Sequence, residues 1–292
     1  MRFSPKKAGK LFRMTFIEWK LKDPFRQSAV IAYYAIFSLP GLLVLLISIA
    51  GYFFGKDSVN ELLFSQISGT MGASTAKQIQ GILANVSQSR STIAGSIIGM
   101  TILLLGATGV FVELQKSLNR IWKVKTITRK SFLENLRARI FSFGLILAIA
   151  FLLIVSLVIS AGLASMGTWV EGKVPAESAL VSNVVNFILS LGIISVLFGL
   201  IFKILPDVTI KWKYIWPGSL VTGFLFTIGK TALGLYFGKI HPDSVYGAAS
   251  SIILILLWVS YSSMILFFGA EFTAIYARVY PGKNTPAITA KK

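Results

Sequence analysis

The chain has 292 residues, of which 54% are hydrophobic and 14% are charged, and its formal net charge is +18. A soluble domain of this composition would expose too much apolar surface to stay in water, so the composition predicts an integral membrane protein. The absence of cysteine excludes disulfides and thiolate metal sites, and a single histidine, His241, excludes a multi-histidine metal site. The basic residues fall in blocks between long apolar runs, which favours a membrane over nucleic acid as the partner.

The N-terminal residues 1–27 carry eight Lys or Arg residues. Phe12, Phe16 and Trp19 recur at helical spacing, which predicts an amphipathic helix at the membrane surface with its basic side chains toward anionic headgroups. A solvated basic arm is the alternative. We expect no cleavable signal sequence, because the apolar run that follows is longer than a signal core.

The first predicted membrane span covers residues 28–54, a run without any charged residue. Pro40 lies near its middle and is expected to kink or break the helix, because proline removes a backbone hydrogen bond. A kink there would open space beside Tyr33 and Tyr34. A packing kink without a ligand is the alternative.

Residues 56–90 are polar and are expected to be external. Ile79, Ile82, Leu83 and Val86 follow the i, i+3, i+4, i+7 pattern, which predicts one short amphipathic helix. We expect this helix to lie on the outer surface, and the alternative is that it caps a cavity.

Further apolar runs predict five more spans, at about residues 92–112, 140–170, 178–202, 214–238 and 244–270. The fifth span is irregular, since Pro217 and Gly218 near its start are candidates for a helix break or hinge. It also carries Lys230, roughly 12 Å in from the outer end at 1.5 Å per residue. A charge near the bilayer centre costs about 2.5 to 3.5 kcal/mol on insertion scales, which makes Lys230 a candidate functional residue.

A basic arm follows the second span. If the helix continues through Glu113, then Glu113, Lys116 and Arg120 share one face. Arg137 lies just before the third span. The arm therefore marks a membrane boundary and supplies candidate site residues.

Six spans place both termini on one side, together with the loops at residues 113–139 and 203–213. That side carries 23 of the 29 Lys and Arg residues, so the positive-inside rule places both termini in the cytoplasm. The predicted organisation is an all-α, six-helix membrane bundle with short amphipathic surface helices. It divides into a basic cytoplasmic segment (1–27), a transmembrane domain (28–277) and a cytoplasmic tail (278–292).

The sequence has none of the motifs that would indicate an enzyme: no Walker A loop, no dinucleotide fingerprint, no metalloprotease motif, no acidic metal cluster and no nucleophile elbow. We therefore predict no catalytic residue, no metal and no cofactor.

Short motifs along nearly the whole chain resemble the YihY/virulence factor BrkB family of bacterial inner-membrane proteins. They are Ala32-Tyr33-Tyr34 through Pro40, Gly109-Val110-Phe111 with Leu114-Gln115, Leu118-Asn119-Arg120-Ile121-Trp122, Leu205-Pro206-Asp207, Trp216-Pro217-Gly218, Tyr246-Gly247, Leu257-Trp258 with Tyr261, and Gly269-Ala270-Glu271. The resemblance implies a six-helix bundle in the cytoplasmic membrane with both termini inside. It suggests transport or flipping of lipid-like envelope components and resistance to host serum. The family's older label, ribonuclease BN, finds no support in a metal constellation or a soluble catalytic domain.

The leading hypothesis is a transporter or flippase for an amphiphilic, anionic substrate such as a phospholipid. Lys230, with Arg120 or Arg137 at the inner rim, would attract the headgroup, and Glu113 or Glu271 would act as counter-charge or proton carrier.

Each charged candidate also has a structural interpretation. Lys230 could reach the outer interface or pair with a carboxylate, and Glu113 and Glu271 could form salt bridges with Lys116, Arg120 or the loop arginines. Arg120 could anchor its helix at the headgroups, and Asp207 after Pro206 is typical of a turn. The second hypothesis is a membrane scaffold that binds anionic lipid or an envelope-assembly partner without transporting anything.

Overall fold

The computed structural model describes residues 5–71, 73–89, 93–124, 177–240, 250–280 and 288–290. Within these ranges the fold is all-α apart from two short strands, as predicted. The helices are α1 (Pro5–Lys20), α2 (Pro24–Phe54), α3 (Lys56–Met71), α4 (Ala73–Ser89), α5 (Ile93–Ile121), α6 (Glu177–Ile204), α7 (Trp212–Ile240) and α8 (Ser250–Val279). The strands are β1 (Val208–Ile210) and β2 (Ile288–Ala290), which pair antiparallel.

Five of the six predicted spans correspond to helices: α2, α5, α6, α7 and α8. The third, at residues 140–170, lies outside the described residues, as does Arg137. In the part of the chain that the structure describes, two helical stretches are long and apolar enough to cross a membrane, Trp212–Tyr236 and Ile252–Val279. The number of crossings and their direction stay predictions.

The segment at residues 56–90 differs from the prediction of one short helix on the outer surface. It forms two helices, α3 and α4, which contact α2 and each other. Ile79 of α4 is buried in an apolar cluster with residues of α2 and α8, namely Leu43, Leu254 and Ile255. The polar composition hid this arrangement, because tertiary packing of a few apolar residues stabilises a helix that its own sequence favours only weakly.

Helix α2 continues through Pro40 without a break, and its packing differs from the expected opening beside Tyr34. The ring of Tyr34 lies against Gly109 of α5, and a Cβ on Gly106 would sit 2.9 Å from the backbone nitrogen of Ser38. Only glycine permits such close approach of two helices. α5 therefore occupies the space that a kink was expected to open.

Helices α7 and α8 run antiparallel and interlock at two glycine–threonine contacts. A Cβ on Gly218 would lie 2.8 Å from the Cβ of Thr273, and a Cβ on Gly269 would lie 2.8 Å from the Cβ of Thr222. Each threonine hydroxyl donates to its own helix, to Gly218 O at 2.6 Å and to Gly269 O at 2.7 Å. α7 is one helix through Pro217, so the predicted hinge residues lie in a continuous, tightly packed segment.

One end of the bundle gathers the segments that the sequence analysis placed on one side. Lys22, two residues after the end of α1, contacts Glu271, and Asn119 of α5 contacts Asp207 beside β1. β2, near the end of the chain, pairs with β1. The predicted tail is thus tied to the bundle at residues 288–290. These contacts put the basic segments together, and the assignment of this end to the cytoplasm stays a prediction.

Candidate functional site

Lys230 lies on the inward face of α7. Phe226 and Leu233, four residues before and three residues after it, both pack against apolar clusters of the bundle. Large exposed residues of this part of α7, such as Ile228 and Leu235, lie on other faces. The side chain of Lys230 is half-buried, as expected for a residue on the inward face of a helix.

No acidic side chain of the described residues forms an ion pair with Lys230. Its neighbour Gly229 lies directly under the ring of Tyr261 from α8, whose hydroxyl donates to Leu225 O at 3.1 Å. Lys230 is ten residues from the end of α7 at Ile240, which corresponds to about 15 Å of helix. The structure thus holds a cation well inside a long apolar helix without a carboxylate partner in the described region.

A buried hydroxyl of a neighbouring helix lies against the same face of α7, about two turns from Lys230. Ser195 of α6 is fully buried, and its Oγ has no hydrogen-bond partner in the described part of the chain. Its Oγ would be 2.6 Å from a Cβ on Gly223, which precedes Lys230 by seven residues. Residues seven apart lie on nearly the same face of a helix. The inward face of α7 is therefore lined by polar groups at two levels, its own Lys230 and Ser195 of α6.

Glu271 is completely buried and is paired with Lys22. Lys22 Nζ lies 2.5 Å from Glu271 Oε2 and 3.9 Å from Glu18 Oε2. The other oxygen of Glu271, Oε1, has no hydrogen-bond partner among the described residues. Glu271 thus forms a salt bridge, as its structural interpretation expected, but its partner is Lys22 of the N-terminal segment.

A sharp corner between α1 and α2 positions Lys22. Asp23 takes a left-handed backbone conformation with φ 51°, and Pro24 then starts α2. Gln27 Nε2 donates to Lys22 O, and Trp19 Nε1 donates to Met264 O of α8 at 3.2 Å. These bonds fix the corner against α8, so Lys22 is directed at Glu271.

Helix α5 continues through Glu113 to Ile121, as the shared face of Glu113, Lys116 and Arg120 required. Lys116 and Arg120 are exposed, and Glu113 is half-buried. Among the described residues Glu113 makes no ion pair, so the expected salt bridges to Lys116 and Arg120 do not form. The face is a basic surface at the end of the bundle.

A polar contact joins the α5 arm to the turn before β1, and no motif in the sequence had predicted it. Asn119 Nδ2 donates to Asp207 Oδ2 at 2.8 Å, and the Asp207 backbone N–H donates to Asn119 Oδ1 at 2.8 Å. Gln115 Nε2 adds donations to Leu205 O and Asp207 Oδ1, both at 3.3 Å. Asn119 and Asp207 both lie in motifs quoted for the family resemblance. Those motifs were the one signal in the sequence that marked the two residues. Asp207 is therefore more than a turn residue, because it anchors α5.

The predicted site residues do not form one cluster. Gly269 faces Thr222, so Glu271 lies roughly 15 Å along the bundle axis from Lys230 at 1.5 Å per residue. Tyr33 is 59% exposed on α2, whereas Tyr34 packs against α5. Arg120 is at the basic end with Glu271. Two separate sites result, one at Lys230 and one at the Lys22–Glu271 pair.

The model of the virulence factor BrkB family matches residues 15–292. The chain belongs to the BrkB family. This membership confirms the resemblance seen in the motifs and identifies the chain as a membrane protein, since its relatives are named membrane proteins.

The BrkB-family chain is similar to three curated relatives in particular. The UPF0761 membrane protein of Saccharophagus degradans is 27% identical over 92% of this chain and 60% of that protein. That of Verminephrobacter eiseniae is 25% identical over 74% of this chain and 49% of that protein, and that of Alteromonas mediterranea is 25% identical over 87% of this chain and 83% of that protein. The chain spans about half to three-fifths of the length of the first two relatives. No solved structure matches this chain.

Proposed function

We propose that this BrkB-family protein transports or flips an amphiphilic, anionic substrate, such as a phospholipid, across the bacterial inner membrane in envelope maintenance. The observation that carries the proposal is Lys230, which is half-buried on the inward face of α7 and has no acidic partner among the described residues. Intramembrane charges are expensive, and they mark substrate or ion pathways in membrane proteins.

An anionic headgroup would supply the counter-charge that Lys230 lacks. A phosphate oxygen accepts charge-assisted hydrogen bonds, which are stronger than bonds between neutral groups. The exposed Arg120 and the basic surface around it would gather headgroups at the end of the bundle, at the inner rim of the pathway. Lys230 would then hold the headgroup at depth.

Glu271 belongs to the same proposal in the role of a proton carrier. It is too far from Lys230 to be its direct counter-charge, as the axial spacing shows. Its free oxygen Oε1 offers a protonation position, and its bond to Lys22 links any change of charge to the α1–α2 corner. Glu113 at the basic rim is the second candidate carrier.

Purified protein in vesicles with a fluorescent phospholipid in both leaflets tests the proposal, because a reductant added outside bleaches only exposed lipid. We expect the natural chain to accelerate loss of the protected signal, Lys230→Ala to abolish most of that acceleration and Lys230→Arg to retain part of it. Lys77→Ala, at an exposed lysine of α4, is the matched control. Full activity of folded Lys230→Ala protein would overturn the role of Lys230.

A scaffold without transport activity is the second candidate. The tight glycine–threonine crossing of α7 and α8 favours it, because an interlocked helix pair leaves no passage between those two helices. The same vesicle assay separates the two candidates. A natural chain that moves neither anionic nor zwitterionic phospholipid would favour the scaffold.

A further inference from the structure

Helix α1 uses one face to pack against α8. Leu11 and Thr15 are buried there, and the ring of Phe12 lies 5.1 Å from that of Phe272. Other sides of α1 expose large apolar side chains, among them Met14, Phe16 and Ile17. α1 is therefore docked on the bundle with a second apolar surface left uncovered.

An aromatic patch, which we define by Phe12, Phe16, Trp19 and Phe25, extends from the edge of the packed face to the exposed side of α1. Phe16 is 55% exposed and Phe25 is 67% exposed. The ring of Trp19 joins them, with centroids 5.8 Å from Phe16 and 6.0 Å from Phe25. Since Trp19 is also bonded to Met264 O, the patch is held in place by the bundle.

The aromatic patch continues along the exposed side of α2. Tyr33 and Phe37 lie seven and eleven residues after Arg26, the neighbour of Phe25, so they share the side of the helix that carries Arg26, and all three are exposed. α2 corresponds to the first predicted span, so this stripe is the side of the span that would contact lipid. The patch therefore lies where that lipid-facing stripe reaches the end of the bundle.

Basic side chains border the aromatic patch. Arg13 and Lys20 are exposed and lie three residues before and four residues after Phe16, so all three share one stripe of α1. Arg26 is exposed beside Phe25. Glu18 points away toward Lys22, at 3.9 Å. The patch thus combines rings and cations in the arrangement typical of an interfacial membrane helix.

We infer that the aromatic patch, with Arg13, Lys20 and Arg26, is a binding surface for anionic lipid headgroups at the membrane interface. The rings insert among the headgroups and upper acyl chains, and the cations bind phosphate groups. A lipid surface fits better than a protein partner, because the patch is continuous with the lipid-facing side of a span and its charge is opposite to that of anionic lipid. This inference is independent of Lys230 and of transport.

The absence of native cysteine allows single labelling positions without background. The experiment places a spin label at Phe16→Cys and, as a matched control, at Met14→Cys. Met14 is 39% exposed and lies on the opposite flank of α1. Each protein is reconstituted in phosphatidylcholine vesicles with and without phosphatidylglycerol. Collision rates with oxygen, which partitions into lipid, and with a water-soluble nickel complex are then measured.

We expect the oxygen-to-nickel collision ratio to be several-fold higher at position 16 than at position 14. The ratio at 16 should rise further with phosphatidylglycerol, and the double substitution Arg13→Gln/Lys20→Gln should remove that rise. Equal nickel access at both positions would overturn the inference, and a ratio that ignores phosphatidylglycerol would overturn its anionic-lipid part.

Two further variants control for a folding defect and for the proposed transport. Phe25→Cys replaces Phe16→Cys if the latter lowers the melting temperature. Lys230→Ala should leave the collision ratios unchanged, so the inference and the proposed transport can fail separately.

Discussion

Lys22 Nζ lies 2.5 Å from Glu271 Oε2, although the two residues are 249 positions apart in the sequence. The bond joins the corner between α1 and α2 to the last helix, in a place where the glutamate is completely buried. The buried pair restrains the N-terminal segment and satisfies a carboxylate that would otherwise be isolated.

Replacing Lys22 alone should lower the free energy of unfolding more than replacing both Lys22 and Glu271. Lys22→Met leaves Glu271 buried and unpaired, which should lower the free energy of unfolding by about 3–5 kcal/mol. Adding Glu271→Gln should restore part of the stability, because the buried charge is gone. Thermal unfolding in detergent of the two single variants and the double variant measures this coupling. Lys20→Met, at an exposed lysine, is the control, and additive effects would contradict the prediction.

The stability that the Asn119–Asp207 contact provides should depend more on the charge than on the size of the side chain at position 119. Asn119→Ala removes two hydrogen bonds and should cost about 1–3 kcal/mol. Asn119→Asp, although closer in shape, should be worse, because it places a second carboxylate against Asp207. Melting temperatures of the two variants, with exposed Lys116→Ala as control, give the order. An Asn119→Asp protein as stable as the natural chain would show that the contact is dispensable.

The α7–α8 crossing should not tolerate a methyl group at Gly218. Gly218→Ala would force its Cβ onto Thr273 and should cost about 1–3 kcal/mol through overpacking. Thr273→Gly in the same chain should recover part of that loss. Gly192→Ala in α6, where a Cβ meets nothing within 4 Å, should be neutral or stabilising. Equal melting temperatures for the two alanine variants would contradict the predicted clash.

Lys123 is a position where glycine should stabilise the fold. α5 ends in a Schellman motif, with Val124 N–H donating to Asn119 O at 3.0 Å and Lys123 in the left-handed region at φ 53°. Lys123→Gly should raise the free energy of unfolding by up to about 1 kcal/mol, since glycine adopts this conformation without a steric cost. Arg120→Gly, inside the helix, should lower it by about 1 kcal/mol. Thermal unfolding of both variants checks the opposite signs, and destabilisation by Lys123→Gly would disprove the argument.

The sequence predicted the elements whose signals are local. Long apolar runs marked α2, α5, α6, α7 and α8. The shared face of Glu113, Lys116 and Arg120 depended on a helix that continues past the apolar segment, and α5 does continue to Ile121. The α3–α4 pair was missed in part, because Ile79 is buried by residues from α2 and α8 that are distant in the chain.

The partners of the site residues could not be predicted, because they depend on long-range packing. Glu271 was expected to bind a basic residue of the inner loops, whereas the α1–α2 corner brings Lys22 to it. Lys230 was correctly placed within an apolar helix, yet only the packing of Phe226 and Leu233 shows that it starts from the inward face.

The contacts at Gly218, Gly229 and Gly269 restrict how the two last helices can move. A shift of α8 by one turn would set Thr273 opposite Tyr214 or Thr222 in place of Gly218, and the side chains would collide. Sliding of α8 past α7 by one turn is therefore blocked while the two helices stay in contact. Lys230 on α7 and Glu271 on α8 then keep their axial separation for as long as this helix pair stays interlocked, so a sliding motion that brings the two charges together is excluded.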